Sequence, residues 1–544
     1  MQFDQLQHVK DIFLEFLFNL YILIVDFCFA VYYSVKPRIF INTRPKHPAL
    51  LQSATQTHKD IIEGKHSCAD VMEAFIERLE EVNPIVNGIC AKDYGSARLK
   101  AKAMDDMLKN LSREKRNELS IHRPFFGIPI TVKNNIDVKR HVNVCGWWKM
   151  RENRATEDAP CVQRMREAGA IIVALTNVPE LCLWIETSNT TFGYTNNAYD
   201  TRRTCGGSSG GEAALISAGA SVVGIGTDIA GSIRVPCMFS GLFGLKPSAE
   251  ISPIEGLYPV DRASRAYLQT VGPMCRYAED LAPMFQAMCL PSKFGQLRPA
   301  KEFKELKAFC FSGYKGWCTE RLSGDQRFAF DMVVKYFEEA LDQPVTHLAM
   351  PHEEKLYEMC ATSVQDGLEK PYCDIMEGTR TYAEFIVDWA QTLLGNRKSK
   401  HSRLSLQANV NSLLMHGVTK EQVEQATHLR DEISDQLCSI LGDDGILIVP
   451  GWPTTAVYHN RTVWKHSGIT HTAVWNAFGM PVIAVPLGLS GDGLPLSVQI
   501  VGSKLSDLTL LRMAEHLDGH LPKCEKPQLF PGFVGPWTLG QSKN

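Results

Sequence analysis

The chain has 544 residues, of which 44% are apolar and 22% are charged, and its formal charge at pH 7 is −3. These values are typical of a globular protein with a large core, and they give no indication of nucleic acid as a partner. Because no linker rich in Pro, Ser or Gly divides the chain after residue 50, we expect one large domain.

The 16 cysteines show no C-x-x-C pair and no regular spacing. Most of them lie in apolar runs, as buried thiols do. The pattern favours neither a zinc site nor a disulfide framework. We therefore expect no metal ion.

The first predicted element is the apolar segment from Ile12 to Val35. A helix of this length reaches about 36 Å, enough to cross a hydrocarbon core of about 30 Å. A stripe of polar residues on one side fits a helix in the membrane interface, or a spanning helix that turns this side toward a partner. A buried core helix is the alternative. The stripe consists of Asp4, His8, Asp11, Glu15, Asn19 and Asp26.

The charges around this segment favour an intracellular membrane over secretion. Asp4 and Asp11 stand where a signal peptide needs basic residues, and no A-x-A cleavage site follows. Lys36 and Arg38 favour a cytosolic location for the end of the segment. We therefore divide the chain into an anchor helix, residues 1–40, and one large domain, residues 41–544.

After the anchor, Ser67 is the predicted N-cap of a helix that ends at Asn83-Pro84. A β-branched run then follows Gly127 and predicts a strand with Lys133 at its end.

The next elements repeat the order of helix, glycine and strand. The predicted strands run from Ala170 to Leu175 and from Ser221 to Ile225. Alternating helices and strands indicate an α/β sheet. Residues 300–440 are more helical, and the chain then returns to strands, with a turn signal at Asp492-Gly493.

Three polar elements lie at predicted strand ends or helix starts, where α/β folds place functional residues. They are Lys133, the serine pair in CGGSSGGEAAL, and Ser232 in GIGTDIAGSIR. Glycines clustered beside apolar segments suggest a backbone shaped for a close approach.

Other interpretations of these motifs stay open at this point. Gly207 to Gly211 matches G-x-S-x-G with Ser209 in the middle, but the preceding residues are too polar for the strand that a nucleophile elbow needs. A Gly-rich loop before a helix also suits phosphate, but the G-K-[ST] ending is missing and Glu212 adds a negative charge. Finally, the glycines could simply make tight turns while the serines cap helices.

Taken together, several motifs resemble the amidase signature family in order and spacing. The motifs are GIPITVKNNIDV, ATEDAPCVQRMREAGAIIVALTNVPEL, TCGGSSGGEAALISAGASVVGIGTDIAGSIRVP, GLFGLKPS and FGMPVIAVPLGLSGDGLPLSVQIVG. The resemblance covers residues 50–535, and with the apolar N-terminal segment it extends to the membrane-attached fatty-acid amide hydrolases. It implies a single large α/β domain, with a central mixed β-sheet covered by helices, preceded by a membrane helix.

The same resemblance implies a Ser-Ser-Lys triad. Ser232 matches the nucleophile, Ser208 matches a bridging serine held on a cis peptide bond, and Lys133 matches the base. No cofactor is implied. The implied oxyanion hole consists of the backbone N–H groups of Ile229, Ala230, Gly231 and Ser232.

Neighbouring residues are expected to support this site. Asp228 and Arg234 bracket the nucleophile as an ion pair, and Ser209 is a further supporting residue. Two positions depart from the commonest family pattern: Ala230 replaces a frequent glycine, and Asn134 replaces a frequent aspartate. We expect neither change to abolish activity.

The chemistry explains the residue types. An amide carbonyl is a poor electrophile, so its attack needs an activated hydroxyl and a stabilised oxyanion. A free lysine, with a pKa of about 10.4, is protonated at neutral pH, but burial lowers that pKa. Neutral Lys133 could then draw a proton from Ser232 through Ser208, and return it to the amine leaving group.

We therefore expect a membrane-attached serine amidase that acts through an acyl-enzyme on long-chain amides or esters. The long-chain hypothesis depends on the N-terminal segment and on the apolar LCLW at Leu181 to Trp184. The expected partners are a small-molecule lipid amide and a membrane, and a homodimer is left open. A membrane-tethered small-amide hydrolase and a catalytically silent scaffold are the alternatives. The amidotransferase subunit that makes aminoacyl-tRNA amides shares the core motifs, but the hydrophobic leader argues against it.

Overall fold

The computed structural model describes residues 2–39, 41, 45–259, 267–314, 319–366, 382–394, 399–414, 419–465 and 467–523. Part of the predicted domain, including residues 524–544, is outside this description, as are the side chains of Asp4, His8, Asp11 and Glu15.

Helices surround a large sheet. They are α1 Gln2–Ser34, α2 Ala54–Ile62, α3 Cys68–Val86, α4 Tyr94–Lys109, α5 Arg113–His122, α6 Pro160–Glu167, α7 Gly210–Ser217, α8 Arg234–Ser240, α9 Leu281–Met288, α10 Pro291–Phe294, α11 Gly324–Leu341, α12 Leu356–Asp366, α13 Tyr382–Leu393, α14 Arg403–Leu414, α15 Lys420–Leu441, α16 Thr470–Ala477 and α17 Asp507–His520.

The strands form an 11-stranded sheet and a separate two-stranded sheet made by β4 and β5. They are β1 Ile89–Lys92, β2 Pro129–Lys133, β3 Ile171–Thr176, β4 Ser188–Asn189, β5 Gly193–Tyr194, β6 Val223–Asp228, β7 Phe243–Lys246, β8 Thr270–Cys275, β9 Lys307–Cys310, β10 Thr346–His347, β11 Gly445–Pro450, β12 Val482–Leu489 and β13 Pro495–Gly502.

The large sheet is mixed, as the family resemblance implies. Its order is β1-β3-β2-β6-β8-β7-β12-β13-β11-β9-β10. Strand β2 is parallel to both neighbours, β3 and β6, whereas β8, β7, β12 and β13 pair antiparallel. The α/β prediction is therefore confirmed.

The three parallel strands β3, β2 and β6 position the site. Every residue of these strands is buried, because helices cover both faces. Carboxyl ends of parallel strands meet at one edge, so Thr176, Lys133 and Asp228 come together there.

Helix α3 begins as predicted and ends later. The Asp70 N–H donates to Ser67 Oγ at 2.9 Å, which confirms Ser67 as the N-cap. The predicted end at Asn83-Pro84 is wrong, since the helix continues to Val86 with Pro84 in its last turn. Asn83 Oδ1 accepts the N–H groups of two later residues, Gly88 and Ile89, so the polar termination lies beyond the proline.

Two strands differ slightly from their predicted bounds. The strand predicted at Ala170 to Leu175 is β3, one residue later, and the one predicted at Ser221 to Ile225 is β6, which extends to Asp228. Residues of β6 pair with β8 along its whole length, so its two glycines do not interrupt the ladder. The turn between β12 and β13 is confirmed by Gly493, whose φ is +73°.

The predicted anchor is the helix α1. Within the described residues, one helical segment, Phe16–Ser34, is long and apolar enough to cross a membrane, with a mean hydropathy of 1.9. Its outer side is exposed, and the most exposed side chains include Leu23, Ile24, Phe27, Val31 and Tyr32.

Asp26, a described member of the polar side of α1, faces the large domain. Asp26 forms ion pairs with Arg461 and Lys465, and Lys465 also pairs with the buried Glu320. These four side chains form what we call the Asp26 cluster. Two positive and two negative charges balance in it, so the docked helix completes the cluster.

Aromatic side chains extend this contact along the helix. Tyr21 donates its hydroxyl hydrogen to the Trp464 carbonyl at 2.8 Å, and Tyr33 stacks on Tyr458 with ring centroids 4.6 Å apart. The twelve helical steps from Tyr21 to Tyr33 span about 18 Å at 1.5 Å per step. Thus α1 lies along the domain surface over this distance.

Candidate active site

Lys133 is the last residue of β2 and is fully buried. Its Nζ lies 2.7 Å from Ser208 Oγ and 2.7 Å from Thr227 Oγ1, and it also donates to the Thr227 carbonyl at 3.2 Å. Burial lowers the pKa of the Lys133 ammonium below its ordinary value. The strand end therefore presents an amine that gives up its proton more readily than a surface lysine does.

Ser208 belongs to a tight loop directly before α7. The Gly207–Ser208 peptide bond is cis, as the resemblance implies, and Ser208 is 1% exposed. A Cβ on Gly207 would lie 2.7 Å from the Trp184 carbonyl oxygen, so the loop has no room for a side chain at that position. This packing fixes Ser208 against Lys133.

Ser232 comes from the second glycine-rich loop and is partly exposed, whereas Ser208 and Ser209 are buried. The Ser209 N–H donates to the Ser232 carbonyl at 3.1 Å, which joins the two loops. Ser209 Oγ donates to the Thr227 carbonyl at 3.3 Å. Among the contacts of the described residues, no hydrogen bond connects the Ser208 and Ser232 hydroxyls.

The buried position of Ser209 bears on the G-x-S-x-G interpretation. A nucleophile elbow presents its serine to the substrate at the tip of a turn. Ser209 is 0% exposed and its hydroxyl points to a backbone carbonyl. This geometry does not suit an elbow nucleophile.

The backbone before Ser232 is tightly shaped. Gly231 has a φ of +121°, and a Cβ there would lie 2.3 Å from Thr472 Oγ1. Thr472 Oγ1 in turn donates to the Ala230 carbonyl at 2.6 Å. Position 231 therefore requires glycine for two reasons: its φ is positive, and Thr472 on α16 occupies the space that a side chain would need.

The four expected oxyanion donors are not equivalent. The Gly231 N–H donates to Asp228 Oδ1 at 2.7 Å. For Ile229, Ala230 and Ser232, the described residues provide no backbone acceptor for the N–H group outside the regular elements. These three N–H groups flank the partly exposed serine.

Asp228 and Arg234 form the expected ion pair, and both are 0% exposed. The carboxylate accepts from the Arg234 guanidinium at 3.1 Å and from the backbone N–H of Ile233 at 3.0 Å. Arg234 also donates to Gln499 Oε1 and Asn476 Oδ1. The pair thereby connects the Ser232 loop to β13 and α16.

The charge of Asp228 is well compensated. Burial alone would raise the pKa of its carboxyl, but the charge and hydrogen bonds of Arg234 and the Ile233 N–H hold the pKa well below its usual range. These contacts favour the ionised form of Asp228, and the carboxylate holds the loop through its hydrogen bonds.

Two residues that contact or adjoin Lys133 were not anticipated from the sequence. Thr227 contacts Lys133 directly, and Glu212 on α7 forms hydrogen bonds with Thr131 and Thr176 on β2 and β3. Thr131 and Lys133 are two residues apart and so share one face of β2, and this spacing is the sequence feature that could have indicated polar neighbours there. The Glu212 side chain points toward the sheet, so its charge does not lie where a phosphate group would bind at the start of α7.

An apolar cluster lies beside the Lys133 end of β2. Asn134 accepts the Cys145 N–H at 3.0 Å, and the Cys145 carbonyl accepts the Leu181 N–H at 2.8 Å. Leu181 and Trp147 are the buried members of this cluster. Around them pack Trp148, Met150, Leu183 and Tyr258.

In the part of the chain that the structure describes, no group of three or more His, Cys, Asp or Glu side chains is placed to hold a metal ion. The polar groups that meet at the site are the Lys133 amine, the Ser208 and Ser232 hydroxyls and backbone N–H groups. That set suits nucleophilic acyl transfer.

Comparison with known proteins agrees with this geometry. Residues 70–511 match the Amidase family model. The chain belongs to the amidase signature family. It is 33% identical over 480 residues to fatty-acid amide hydrolase 2 from Homo sapiens, with 87% of this chain and 89% of the relative covered.

A second relative and a solved structure extend the comparison. The chain is 35% identical over 485 residues to fatty-acid amide hydrolase 2-A from Danio rerio, with 87% of this chain and 89% of the relative covered. A solved fatty acid amide hydrolase shares the fold, with a TM-score of 0.70 and 19% identity, covering 87% of this chain and 86% of that one. As a member of this family, the chain is an amide hydrolase.

Proposed function

We propose that the protein is a serine amidase in which Ser232 is the nucleophile, Ser208 the proton relay and Lys133 the base. The observation that carries this proposal is the 2.7 Å contact between the buried Lys133 Nζ and Ser208 Oγ. The Ser209–Ser232 backbone hydrogen bond supports it, because it holds the two loops side by side.

The proton path follows from these contacts. Neutral Lys133 accepts the Ser208 proton while Ser208 accepts the Ser232 proton, and Ser232 Oγ forms a bond to the amide carbon. On collapse the C–N bond breaks, and the amine leaves with the proton returned from Lys133 through Ser208. Water then attacks the acyl-enzyme by the same path, releasing the acid. The Ser208–Ser232 hydroxyl contact has to form when substrate binds, as catalytic hydrogen bonds often do.

The developing oxyanion would be held by backbone N–H groups. Ile229, Ala230 and Ser232 supply the three N–H groups for which the described residues provide no backbone acceptor outside the regular elements. A well-placed donor of this kind contributes about 3–4 kcal/mol to transition-state stabilisation. The Gly231 N–H, bound to Asp228, holds the loop in shape for the other three.

The nucleophile is tested by Ser232→Ala. We expect wild type to be labelled by a fluorophosphonate probe and the variant to lose both labelling and amide hydrolysis. Ser217→Ala is the matched control, because its hydroxyl contacts the Ala214 carbonyl within α7 and should leave activity unchanged. If wild type is not labelled and no amide is cleaved, the chain is a silent scaffold.

For the substrate, we propose amides of long acyl chains, and the corresponding esters. The two fatty-acid amide hydrolase 2 relatives and the apolar cluster of Trp147 and Leu181 beside Lys133 support this proposal. A long acyl chain would bury apolar surface at about 25 cal/mol per Å² against such a cluster. A hydrolase of small amides is the rival function.

The substrate class is tested by comparing oleamide with a short-chain amide at matched concentrations. Preference for oleamide supports the proposal, whereas faster cleavage of the short amide would establish the rival function. Leu181→Ser should selectively raise the KM for oleamide if the apolar cluster binds the acyl chain.

We further propose that α1 lies in the membrane interface, with its apolar side in lipid and the Asp26 cluster on the domain side. The docked contacts from Tyr21 to Tyr33 support this orientation, because a helix that crossed the bilayer would separate from the domain over much of that length. On this proposal the division at residue 40 separates two parts that pack together.

Vesicle flotation and labelling test this orientation. Phe27→Glu should weaken flotation with anionic vesicles, whereas Leu99→Glu, equally exposed on α4, should not. Reagents added outside the vesicles should reach both ends of an interfacial helix, but one end of a spanning helix. The homodimer also stays a prediction, measured by light scattering of the solubilised protein.

A further inference from the structure

Glu212 is a carboxyl group that the proposed chemistry does not use. It lies in the first turn of α7, four residues after Ser208, and is fully buried. A buried carboxyl is costly unless it is hydrogen-bonded or neutral, so its partners indicate what it does.

The partners of Glu212 come from strands that surround Lys133. Its Oε2 lies 2.5 Å from Thr131 Oγ1, and its Oε1 lies 2.8 Å from Thr176 Oγ1. Thr131 is two residues before Lys133, on the same face of β2, and Thr176 is the register partner of Lys133 on β3. Glu212 thus binds the lysine strand and its neighbour just below the amine.

The third strand leaves room for the same carboxyl. Gly224 on β6 is the register partner of Thr131. A Cβ on Gly224 would lie 1.9 Å from Glu212 Oε2. One glycine of the GIGTDIAGSIR motif is therefore required by Glu212.

We propose that Glu212 is a positioning residue, which holds the α7 loop carrying Ser208 in register with the strand carrying Lys133. The Glu212 carboxyl connects α7, which directly follows Ser208, to Thr131 on β2. Because Lys133 ends the same strand, the connection also fixes Lys133 relative to Ser208. This inference deepens the proposed function and rests on it.

The charge of Glu212 also acts on Lys133. Burial raises the pKa of the Glu212 carboxyl to about 8 against its two threonine hydrogen bonds, and its ionised form raises the pKa of Lys133. The other titratable groups facing Lys133 are Asp228, Cys145 and Cys182, and Cys90 faces Glu212. Removing the carboxylate should therefore move the acid limb of the pH–rate profile to lower pH.

The test separates reach from charge with two variants. Glu212→Gln keeps the length and both hydrogen-bond partners but cannot ionise, so kcat on oleamide should stay within about threefold while the acid limb moves to lower pH. Glu212→Asp keeps an ionisable carboxyl group but is one methylene too short, so kcat should fall about 100-fold with the acid limb in place.

Threonine variants keep the test decisive if both glutamate variants fail to fold. Thr131→Val removes one hydrogen-bond partner of Glu212. We expect it to lower kcat by a larger factor than it changes KM. Thr57→Val is its control, because the described residues provide no hydrogen-bond partner for the hydroxyl of this buried threonine on α2. Equal kcat for Thr131→Val and Thr57→Val would overturn the proposal.

These experiments distinguish a failure of the proposed triad from a failure of the Glu212 proposal. If Ser232→Ala retains activity, the proposed function is wrong. If Ser232→Ala is inactive but Glu212→Asp keeps full kcat, the positioning role of Glu212 is wrong and the triad remains. An unmoved acid limb in Glu212→Gln would contradict the charge effect of Glu212 on Lys133 and leave its positioning role to the kcat values.

Discussion

At the scale of single residues, the burial of Lys133 lowers the pH at which this proposed base loses its proton. Its ordinary pKa of about 10.5 is lowered by burial, and the neutral amine is the proposed base. We expect kcat/KM to rise with pH, with a midpoint below 10.5, as Lys133 loses its proton.

The matching variant is Lys133→Ala, which should lower kcat by about 10²–10⁴-fold, the usual contribution of a general base. Measuring pH–rate profiles of both proteins on oleamide checks the assignment. A residual rate that still followed the wild-type acid limb would show that another group titrates there.

A second residue-scale prediction concerns Arg234. Replacing it by Met leaves Asp228 ionised and fully buried without its main partner, so we expect a loss of about 3–5 kcal/mol in the free energy of unfolding. Arg512→Met is the control, because its ion pair with Glu302 is exposed. Urea unfolding measures both, and equal effects would contradict the structural role of the Asp228–Arg234 pair.

At the scale of elements, the glycines of the Ser232 loop fix how strand β6 meets helix α16. In Gly231→Ala the new methyl group would meet Thr472 Oγ1 at 2.3 Å with φ at +121°. We expect the loop to shift and kcat to fall about 100-fold, the effect of a misplacement of about 1 Å. Gly95→Ala on α4, where nothing lies within 4 Å of the new Cβ, should leave kcat unchanged in the same assay.

Sequence patterns predict those helices and strands whose determinants lie close together along the chain. Strands β2, β3 and β13 follow from β-branched runs and flanking glycines, because such patterns depend on neighbours along the chain. The Glu212 contacts could not be predicted in this way. They depend on Thr131, Thr176 and Gly224, which three strands bring together from positions far apart in sequence. The later end of α3 was missed because Pro84 fits in a last helical turn that the Asn83 side chain terminates.

At the scale of the whole molecule, the N-terminal helix packs on the large domain, which its apolar composition alone does not indicate. Its apolar length predicted a membrane helix, and the polar stripe left its orientation open. The structure provides the partner for one residue of that stripe, since Asp26 forms ion pairs with Arg461 and Lys465 on the large domain. No local pattern could identify this partner, because the contact joins residues more than 400 positions apart.

The Asp26 cluster makes this arrangement testable. Asp26→Asn would leave Arg461 and Lys465 with Glu320 as their acidic partner in the cluster, and so with one uncompensated positive charge. Because the Asp26 side chain is 37% exposed, solvent screens the pair, and we expect a coupling energy of about 1 kcal/mol between Asp26→Asn and Lys465→Met in a double-mutant cycle. Asp435→Asn, an exposed acidic position on α15, should show no coupling to Lys465→Met. If Asp26→Asn behaves like Asp435→Asn in thermal unfolding of the solubilised protein, then α1 is a tether that does not dock, and a spanning orientation becomes the better description.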